Sequence, residues 1–255
     1  MKTLANDISA WIKKYADENN RKALVVGVSG GVDSALVSTL CAMTGLPTHV
    51  VIMPCESKED QTIRGVNHCK WLKSKYNDNV IEHVFDLTDT FLEFKKNVVN
   101  KKYDNQLAYA NTKSRLRMIV LYQIATCNDG LVVGTGNKVE DYGVGFFTKY
   151  GDGGVDISPI SDLYKSEVRQ MCRELEILPE LCEAVPTDGL WNDSRTDESQ
   201  LGATYDELEW AMKNINNSNN VDNYTDRQKE VINIYNTWHN RTKHKLSPIP
   251  SFVRS

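Results

Sequence analysis

The chain has 255 residues, with 30 Lys and Arg against 34 Asp and Glu, so its formal net charge is −4 at pH 7. This balance argues against a broad electrostatic nucleic-acid footprint, and the length is sufficient for one large domain over residues 1–255. The sequence lacks a basic-then-apolar signal pattern, and no apolar run approaches membrane-spanning length. We therefore expect a cytoplasmic protein without a membrane partner.

The six cysteines are scattered without a Cys-x-x-Cys pair, and most of them have apolar neighbours. This distribution is typical of reduced, packed thiols in a cytosolic protein. It argues against a zinc site or a redox motif.

Predicted strands and helices alternate along the chain. Apolar residues at helical spacing from Leu4 to Tyr15 predict an amphipathic N-terminal helix. Strands are predicted over residues 23–28, 48–53, 80–86 and 131–134, with helices between them over residues 34–43, 60–76 and 113–127. The strands are almost continuously apolar, which indicates an α/β fold with three α/β/α layers and a mostly parallel sheet. Ligands of such sheets bind beyond the carboxyl ends of the strands.

The most informative motif is a glycine-rich loop directly after the first strand. Residues 29–34 read Ser-Gly-Gly-Val-Asp-Ser and precede a predicted helix. The glycines let the backbone approach an anion, the helix N-terminus attracts negative charge, and the serines add hydroxyl donors. A carboxylate at Asp33 suits a phosphate site only if a divalent cation bridges the two. The loop therefore predicts a site for a metal-chelated polyphosphate.

The spacing of this loop differs from that of a Walker A loop and from the Gly-x-Gly-x-x-Gly dinucleotide fingerprint. The loop instead resembles the pyrophosphate loop of the ATP pyrophosphatase superfamily, whose members cleave ATP between the α and β phosphates. An ordinary glycine turn is the alternative. The position between a strand and a helix favours the functional interpretation.

A second informative block, residues 134–156, follows the predicted fourth strand. Thr135 ends that strand near the same site, and Glu140 begins a helix from which it can reach a cation shared with Asp33. Glycines nearby suit close approach of a bulky ligand to the backbone, and they are surrounded by charged residues, Lys149, Asp152 and Asp156. A simple turn at these glycines is the alternative, and the spacing does not match an EF-hand loop.

Together, the loop and this block resemble ammonia-dependent NAD synthetases. The most specific match is the run Gly-Phe-Phe-Thr-Lys-Tyr-Gly-Asp-Gly-Gly over residues 145–154, and the resemblance extends over almost the whole chain. It implies an adenine nucleotide α-hydrolase-like, Rossmann-like fold. It also implies a homodimer in which partner residues help to build the dinucleotide site.

The reaction that the resemblance implies is the amidation of deamido-NAD to NAD. ATP, the co-substrate, first adenylates the nicotinate carboxylate with release of pyrophosphate. Ammonia then attacks the mixed anhydride and releases AMP. Mg²⁺ is the implied metal. The chemistry needs no side-chain nucleophile, which agrees with the lack of a plausible Ser/His/Asp or Cys/His triad.

The resemblance also assigns residues by position. The implied ATP site contains the phosphate loop and three further contacts, Gly27, Val28, Ser29, Gly30, Gly31, Val32, Asp33, Ser34, Thr135, Lys165 and Thr187. The implied Mg²⁺ ligands are Asp33 and Glu140. The implied deamido-NAD contacts, two of them from a C-terminal tail over residues 241–255, are Arg115, Lys149, Asp156, His244 and Lys245. The candidate catalytic residue, which would attract ammonium and accept its proton, is Asp152.

For some of these residues the alternative is a structural or surface role without a ligand. Lys165 lies on a predicted amphipathic helix, where a lysine is often a solvated charge. His244 lies in a basic stretch that by itself indicates a charged surface. Arg115 and Arg117 are two residues apart on a helix and cannot face one ligand equally, and the motif alignment favours Arg115.

The second block departs from the commoner family pattern by one extra residue between Thr135 and Phe146. A one-residue insertion in a helix often makes a π-bulge or displaces the register. The ligand of the metal is therefore either Glu140 or Asp141. The spacing from Thr135 favours Glu140.

Two polar segments interrupt the α/β pattern. Residues 186–202 are turn-rich with a lone Trp191, and they predict a mobile loop that closes over the adenylate and excludes water. A disordered surface loop is the alternative. Residues 214–223 are asparagine-rich and predict a solvated turn.

The nitrogen donor and the class of protein have alternatives. Only about twenty residues precede the first strand, too few for the separate glutaminase domain of glutamine-dependent relatives, so free ammonia is the expected substrate.

The other enzyme class is a different ATP pyrophosphatase, such as a tRNA-thiolating or GMP-forming enzyme. Thiolation usually uses cysteines near the site and a basic surface, which are not evident. A non-catalytic module that senses ATP is the third reading, and paired metal ligands argue against it.

Overall fold

The computed structural model describes residues 1–98, 102–187, 189–190, 195–215 and 223–254. Within these residues one sheet is formed by four strands, β1 (Ala23–Gly27), β2 (Thr48–Ile52), β3 (Val80–Val84) and β4 (Gly130–Val132). The helices before β4 are α1 (Lys2–Glu18), α2 (Val32–Met43), α3 (Glu59–Tyr76), α4 (Thr88–Val98) and α5 (Gln106–Cys127). A π-helix (Lys138–Val144) follows β4, and the later helices are α6 (Lys165–Glu174), α7 (Pro179–Cys182), α8 (Asp197–Leu201), α9 (Tyr205–Asn214) and α10 (Asp226–Thr242).

All four strands are parallel, in the order β3-β2-β1-β4. Leu24 of β1 lies opposite Thr48 of β2 and Leu131 of β4. The chain builds outward from β1 through β2 to β3 and then returns, so that β4 lies on the other side of β1. This reversal of direction makes a crevice at the carboxyl ends of β1 and β4, where doubly wound sheets bind their ligands.

Successive side chains of each strand pack on opposite faces of the sheet, as the alternation of a strand requires. Leu24 and Val26 share a buried core with α1, α2 and α6, whereas Val25 shares a second core with α4 and α5. Helices therefore cover both faces of the sheet. The expected α/β fold with a parallel sheet between two helical layers is confirmed.

The C-terminal helices have a smaller core, which packs against the π-helix. Leu208 of α9 and Val231 of α10 are buried in one cluster with Val139 and Val144. The hydroxyl of Thr242, at the end of α10, donates a hydrogen bond of 2.8 Å to the carbonyl oxygen of Val144. These contacts hold the π-helix in place, and with it the side chains that it directs toward the crevice.

Five of the six cysteines are buried, and Cys127 is exposed. Burial raises the pKa of the Cys69 thiol to about 12, so this side chain stays protonated and packs as an apolar group. The expectation of packed thiols is thus confirmed for most of the cysteines. Among the described helices, none combines the length and the apolar character needed to cross a bilayer.

The observed elements differ from the predicted ones mainly at their ends. α2 begins at Val32 with Gly31 as its N-cap, so Asp33 lies in the first helical turn rather than before the helix. α5 begins at Gln106 rather than at residue 113, because the side chain of Asn105 accepts a hydrogen bond from the backbone N–H of Ala108 and caps the helix. β4 ends at Val132, so Thr135 follows the strand in a loop and does not end it.

Glu207 joins the first turn of α9 to α10. Its carboxylate accepts hydrogen bonds from Nε and Nη2 of Arg227, at 2.7 and 2.8 Å, and from the backbone N–H of Thr204, the N-cap of α9, at 2.9 Å. The hydrogen bonds from Arg227 are the main reason why the pKa of Glu207 falls from 4.5 to about 2. The ionised form of Glu207 is therefore more strongly favoured in the folded protein than in the unfolded chain.

We predict that Glu207→Gln lowers the free energy of unfolding at neutral pH by about 1 kcal/mol, because it removes a bidentate ion pair and a capping contact. A depressed pKa stabilises the folded state fully above the unfolded value of 4.5, and this stabilisation is lost as the pH falls towards about 2. Urea unfolding of wild type and variant should therefore converge as the pH is lowered through this range.

The control is Glu230→Gln, which removes a second partner of Arg227 whose side chain is 59% exposed, against 31% for Glu207. Its effect on unfolding should be smaller. If the free energies of unfolding of wild type and Glu207→Gln differ by the same amount from neutral to acid pH, the assignment is contradicted.

Candidate functional site

A cavity of about 670 Å³ opens at the carboxyl ends of β1 and β4. All eight residues from Gly27 to Ser34 line it, together with the loop after β4. Other predicted site residues that line the same cavity are Thr135, Glu140, Asp152, Lys165, Thr187 and Lys245. The structure thus brings residues from both ends of the chain to the crevice between β1 and β4.

The loop between β1 and α2 is held in a fixed shape by its own serines. The hydroxyl oxygen of Ser34 accepts a hydrogen bond of 3.2 Å from the backbone N–H of Ser29 and donates one of 3.0 Å to the carbonyl oxygen of Gly31. Gly30 has φ +82°, and a Cβ there would overlap the carbonyl oxygen of Gln61 in α3. Glycine is therefore required at this position. The result is a preformed turn that opens onto the N-terminus of α2, as in anion-binding loops.

Lys165 lies between the two predicted metal ligands. Its ammonium nitrogen is 2.6 Å from Oδ2 of Asp33 and 2.7 Å from Oε1 of Glu140. The lysine side chain is 3% exposed, and each carboxylate side chain is 16% exposed. The reading of Lys165 as a solvated surface charge is therefore wrong. The three residues come from α6, α2 and the π-helix, so one ion-pair cluster joins three parts of the fold.

The two carboxylates of this cluster differ in their acidity. Burial raises the pKa of Asp33, opposed by the charge of Lys165 and reinforced by repulsion from Glu140. Burial also acts to raise the pKa of Glu140, but the charge of Lys165 and hydrogen bonds from Lys165 and Tyr205 together hold it below its ordinary value. Because Lys165 is paired with two carboxylates, its pKa lies above that of a free lysine, despite burial. At neutral pH the lysine is a cation.

Two uncharged side chains orient the carboxylates. Nδ2 of Asn137 donates a hydrogen bond of 3.0 Å to Oδ1 of Asp33, while its Oδ1 caps the π-helix by accepting from the backbone N–H groups of Val139 and Glu140. The hydroxyl of Tyr205 donates to Oε1 of Glu140 at 2.5 Å. Asn137 and Tyr205 are both buried. Each anion of the cluster therefore has a neutral hydrogen-bond donor in addition to the lysine.

The segment after Thr135 forms a π-helix, Lys138–Val144, which is the local structure that the predicted one-residue insertion favours. Its wide turn directs the adjacent carboxylates of Glu140 and Asp141 to different neighbours. Glu140 contacts Lys165, whereas Asp141 lies against Gly136, where a Cβ would overlap its carboxylate. Burial and the nearby carboxylates raise the pKa of Asp141 well above its ordinary value. Glu140, rather than Asp141, is therefore the residue that shares the Lys165 cation with Asp33.

Asp152 follows the π-helix in the chain and also lines the cavity. Its Oδ1 accepts hydrogen bonds from the hydroxyl of Ser114 at 2.6 Å and from the backbone N–H of Thr148 at 3.0 Å. The residue keeps contact with solvent, yet desolvation by the surrounding protein raises the pKa of its carboxyl group in spite of the two hydrogen bonds. Lys245, whose ammonium donates to the carbonyl oxygens of Gly145 and Phe147, is the nearby cation.

Four of the five predicted dinucleotide contacts lie outside the lining of the cavity. The guanidinium of Arg115 is exposed and donates to the carbonyl oxygen of Lys149 at 3.2 and 3.3 Å. Asp156 accepts hydrogen bonds from the backbone N–H of Val132 and from the hydroxyl of Tyr122. Nδ1 of His244 lies 3.2 Å from the carbonyl oxygen of Arg241. Arg117, the neighbour that the motif alignment did not favour, lines the cavity instead.

The polar segment 186–202 borders the cavity at several points, including Thr187 and Asp197. Residues 188 and 191–194, among them Trp191, lie outside the described residues, as do residues 216–222 of the predicted asparagine-rich turn. The mobility of the 186–202 segment stays a prediction.

Sequence reasoning missed several residues that orient the carboxylates of the site. Asn137 carried a signal, because a polar residue directly before Lys-Val-Glu is a typical helix N-cap. Tyr205 carried none, since it is separated from Glu140 by 65 residues and reaches it only through the packing of α9. Ser114 was quoted only as part of a motif, and its hydrogen bond to Asp152 depends on the way α5 lies against residues 148–152.

Asp33 and Glu140 have the donor chemistry of magnesium ligands. Among the described residues, three or more His, Cys, Asp or Glu side chains do not gather into a metal cage. Mg²⁺ commonly uses one or two carboxylates and completes its coordination with waters and substrate phosphates. Two carboxylates beside an anion-binding loop fit this pattern, and the contact of both with Lys165 shows that the position attracts positive charge.

A family model described as NAD synthase matches residues 4–249. The NH₃-dependent NAD⁺ synthetase of Mesoplasma florum is 38% identical over 225 residues, which cover 87% of this chain and 88% of that protein. NMN synthetase from Francisella tularensis superposes with a TM-score of 0.85 at 28% identity over 98% of both chains. NH₃-dependent NAD synthetase from Campylobacter jejuni has the same fold, with a TM-score of 0.79 at 21% identity over 99% of this chain and 98% of that one. The chain belongs to the NAD synthase family.

Proposed function

We propose that the protein is an ammonia-dependent NAD synthetase of one domain, which converts deamido-NAD to NAD and consumes ATP. The observation that carries this proposal is the meeting of the anion-binding loop with the Asp33–Lys165–Glu140 cluster in one cavity. Family membership and the names of the curated relatives, which include free ammonia as the nitrogen source, support the same reaction.

The first chemical step joins the nicotinate carboxylate to the α-phosphate of ATP, and pyrophosphate leaves. The carboxylate oxygen is a poor leaving group until it carries a phosphate, which is why the amidation needs ATP. Negative charge grows on the departing pyrophosphate, and the backbone N–H groups of the loop and the Lys165 ammonium are the groups that stabilise it. Magnesium, when held by Asp33 and Glu140, supplies further positive charge at the phosphates.

In the second step ammonia attacks the acyl carbon, and AMP leaves with the electron pair of the broken acyl–oxygen bond. Ammonium must lose a proton before it can attack. Asp152 is our candidate for attracting ammonium and accepting that proton, because it lines the cavity and its raised pKa brings it closer to that of an effective base. Ser114 and the backbone of Thr148 hold its carboxylate in place.

The acceptor site is proposed to include Lys245 inside the cavity and four residues outside its lining, Arg115, Lys149, Asp156 and His244. Arg115 and Lys149 contact each other on an exposed surface, where a second chain or the far half of a dinucleotide has access to them. A homodimer is therefore part of the proposal, in line with the family resemblance. Light scattering on the purified protein measures this directly.

A second candidate acceptor is nicotinate mononucleotide. It is favoured by the superposition of NMN synthetase from Francisella tularensis over 98% of both chains. A mononucleotide has the same carboxylate but lacks the adenylate half. It would therefore need the cavity and Lys245, but not the exposed pair of Arg115 and Lys149.

The experiment incubates the purified protein with ATP, Mg²⁺ and either deamido-NAD or nicotinate mononucleotide. Ammonium chloride or glutamine is the nitrogen donor, and mass spectrometry measures the amide products. We expect NAD with ammonium and not with glutamine. A higher kcat/KM for the mononucleotide would favour the second candidate. The absence of both amides, and of substrate-dependent pyrophosphate, from folded protein would contradict both.

We predict that Asp33→Asn lowers the rate of pyrophosphate release by about a hundredfold or more, because it removes one anion from the site that neutralises phosphate charge. Asparagine keeps the size of the side chain and Lys165 keeps Glu140 as its partner, so the fold should be retained, as circular dichroism would show. The control is Asp162→Asn, which changes an exposed carboxylate paired with Lys138 and should leave the rate unchanged. Full Mg²⁺-dependent turnover in Asp33→Asn would refute the assignment.

We further predict that Tyr205→Phe lowers kcat by about tenfold, because Glu140 loses the hydrogen bond that orients it. The Mg²⁺ concentration needed for half-maximal binding of an ATP analogue should rise in parallel. Tyr235→Phe changes a buried tyrosine of the same core and is the matched control. Equal losses of activity in both variants would mean that the effect comes from packing and not from Glu140.

A further inference from the structure

Two basic residues of α5 hold the connection between β2 and α3. Lys113 and Arg117 are four residues apart, so they lie one above the other on the same face of the helix. The connection, residues 53–58, forms part of the cavity wall through Met53, Pro54 and Ser57. Neither the sequence motifs nor the proposed chemistry gives Lys113 a role.

Lys113 is bound at the middle of this connection. Its ammonium nitrogen is 2.8 Å from Oε2 of Glu56 and 5.0 Å from the centre of the Phe91 ring. The lysine side chain is 4% exposed, whereas that of Glu56 is 32% exposed. A buried ammonium is unfavourable unless it is paired, so Glu56 is the anion that makes this position tolerable for a lysine.

The backbone of Glu56 has an unusual conformation for its residue type. Its φ is +52°, in the left-handed region, and the connection Met-Pro-Cys-Glu-Ser-Lys contains no glycine. Such a conformation persists in a non-glycine residue only where surrounding contacts hold it. The contacts present are the ion pair with Lys113 and a hydrogen bond of 3.1 Å from the Glu56 N–H to the hydroxyl of Thr88.

Arg117 binds both ends of the same connection. Its Nε donates to the carbonyl oxygen of Met53 at 3.0 Å, and its Nη2 donates to the hydroxyl of Ser57 at 3.2 Å. The Ser57 oxygen in turn accepts the backbone N–H of Cys55 at 3.1 Å. Arg117 therefore fixes the two ends, while Lys113 fixes the strained residue between them.

The wall that is held in this way faces an apolar part of the cavity. The apolar side chains that line the cavity beside it are Ile52, Met53, Met118 and Leu121. The phosphate loop lies at the end of β1, the strand next to β2. A nucleoside triphosphate whose phosphates occupy that loop can place its flat, largely apolar base against this wall.

We propose that Lys113 is a positioning residue for ATP, which acts through Glu56 to hold the wall of the base site. The inference rests on the proposed use of ATP. Because Lys113 touches the wall and not the reacting atoms, its loss should weaken ATP binding while the chemistry of bound substrates is retained. A purely structural role would instead affect ATP and the acceptor nucleotide alike.

The test is Lys113→Met in the full-length protein, with calorimetric titration of α,β-methylene-ATP and steady-state kinetics. We expect the Kd of the analogue and the KM for ATP to rise about tenfold, as for a small misplacement of a binding group. kcat and the KM for the acceptor should stay within about twofold. The titration needs no turnover, so it gives an answer even if the proposed reaction is wrong.

Lys138→Met is the matched control. Lys138 also forms an ion pair, 2.7 Å from Asp162, and its ammonium lies 4.8 Å from the centre of the Tyr164 ring, but it does not line the cavity. This variant should bind the analogue like wild type. Equal affinity of Lys113→Met and wild type, or an equal rise in the KM of both substrates, would overturn the proposal.

Glu56→Gly separates the ion pair from the backbone strain. Glycine adopts a φ of +52° without cost, so this variant relieves the strain while it removes the carboxylate. Weaker binding of the analogue by Glu56→Gly would support the view that the ion pair holds the wall. Binding as in wild type would refute that view. If Lys113→Met fails to fold, Glu56→Gln breaks the same ion pair, and the same titration of the analogue tests the proposal. The double variant Lys113→Met/Glu56→Gln should be no weaker than Lys113→Met, because paired residues are not additive.

Discussion

The contact of one lysine with two carboxylates is the interaction on which the site depends. Lys165, Asp33 and Glu140 belong to three elements that are far apart in sequence, and all three side chains are largely removed from water. Removing the lysine would leave two anions a few ångströms apart in a desolvated position, which is strongly unfavourable. The cluster therefore ties α2, α6 and the π-helix to one another and at the same time fixes the charge of the cavity wall beside the glycine-rich loop.

The topology of the sheet explains why these elements meet. β1 and β4 are neighbours in space although about a hundred residues separate them in the chain. The loop after β1 brings Asp33, and the segment after β4 brings Asn137 and Glu140. The C-terminal helices then close the outer side, because Tyr205 of α9 reaches Glu140 and Lys245 reaches the turn after the π-helix. The contacts that hold these elements together are therefore also the contacts that shape the cavity.

The sequence predicted the sheet and the position of the glycine-rich loop well, because both depend on local patterns. Apolar runs define strands, and Ser-Gly-Gly-Val-Asp-Ser needs no distant partner to fix its shape. The sequence was less informative wherever a side chain acts through tertiary packing. Tyr205 looks like an ordinary core residue until α9 is placed, and Arg115 and Arg117 are distinguished only by the direction in which α5 turns them. The helical cluster α8–α10 was not anticipated, since its apolar pattern is short and broken by polar turns.

The π-helix has a consequence for how such a chain can change over time. A wide turn absorbs one additional residue within a single turn of helix, so the elements on either side keep their positions. Here the wide turn places Glu140 on Lys165 and the neighbouring acid, Asp141, beside Gly136, where the missing side chain leaves space for it. A single-codon insertion can thus add a functional group to an existing pocket without a redesign of the fold around it.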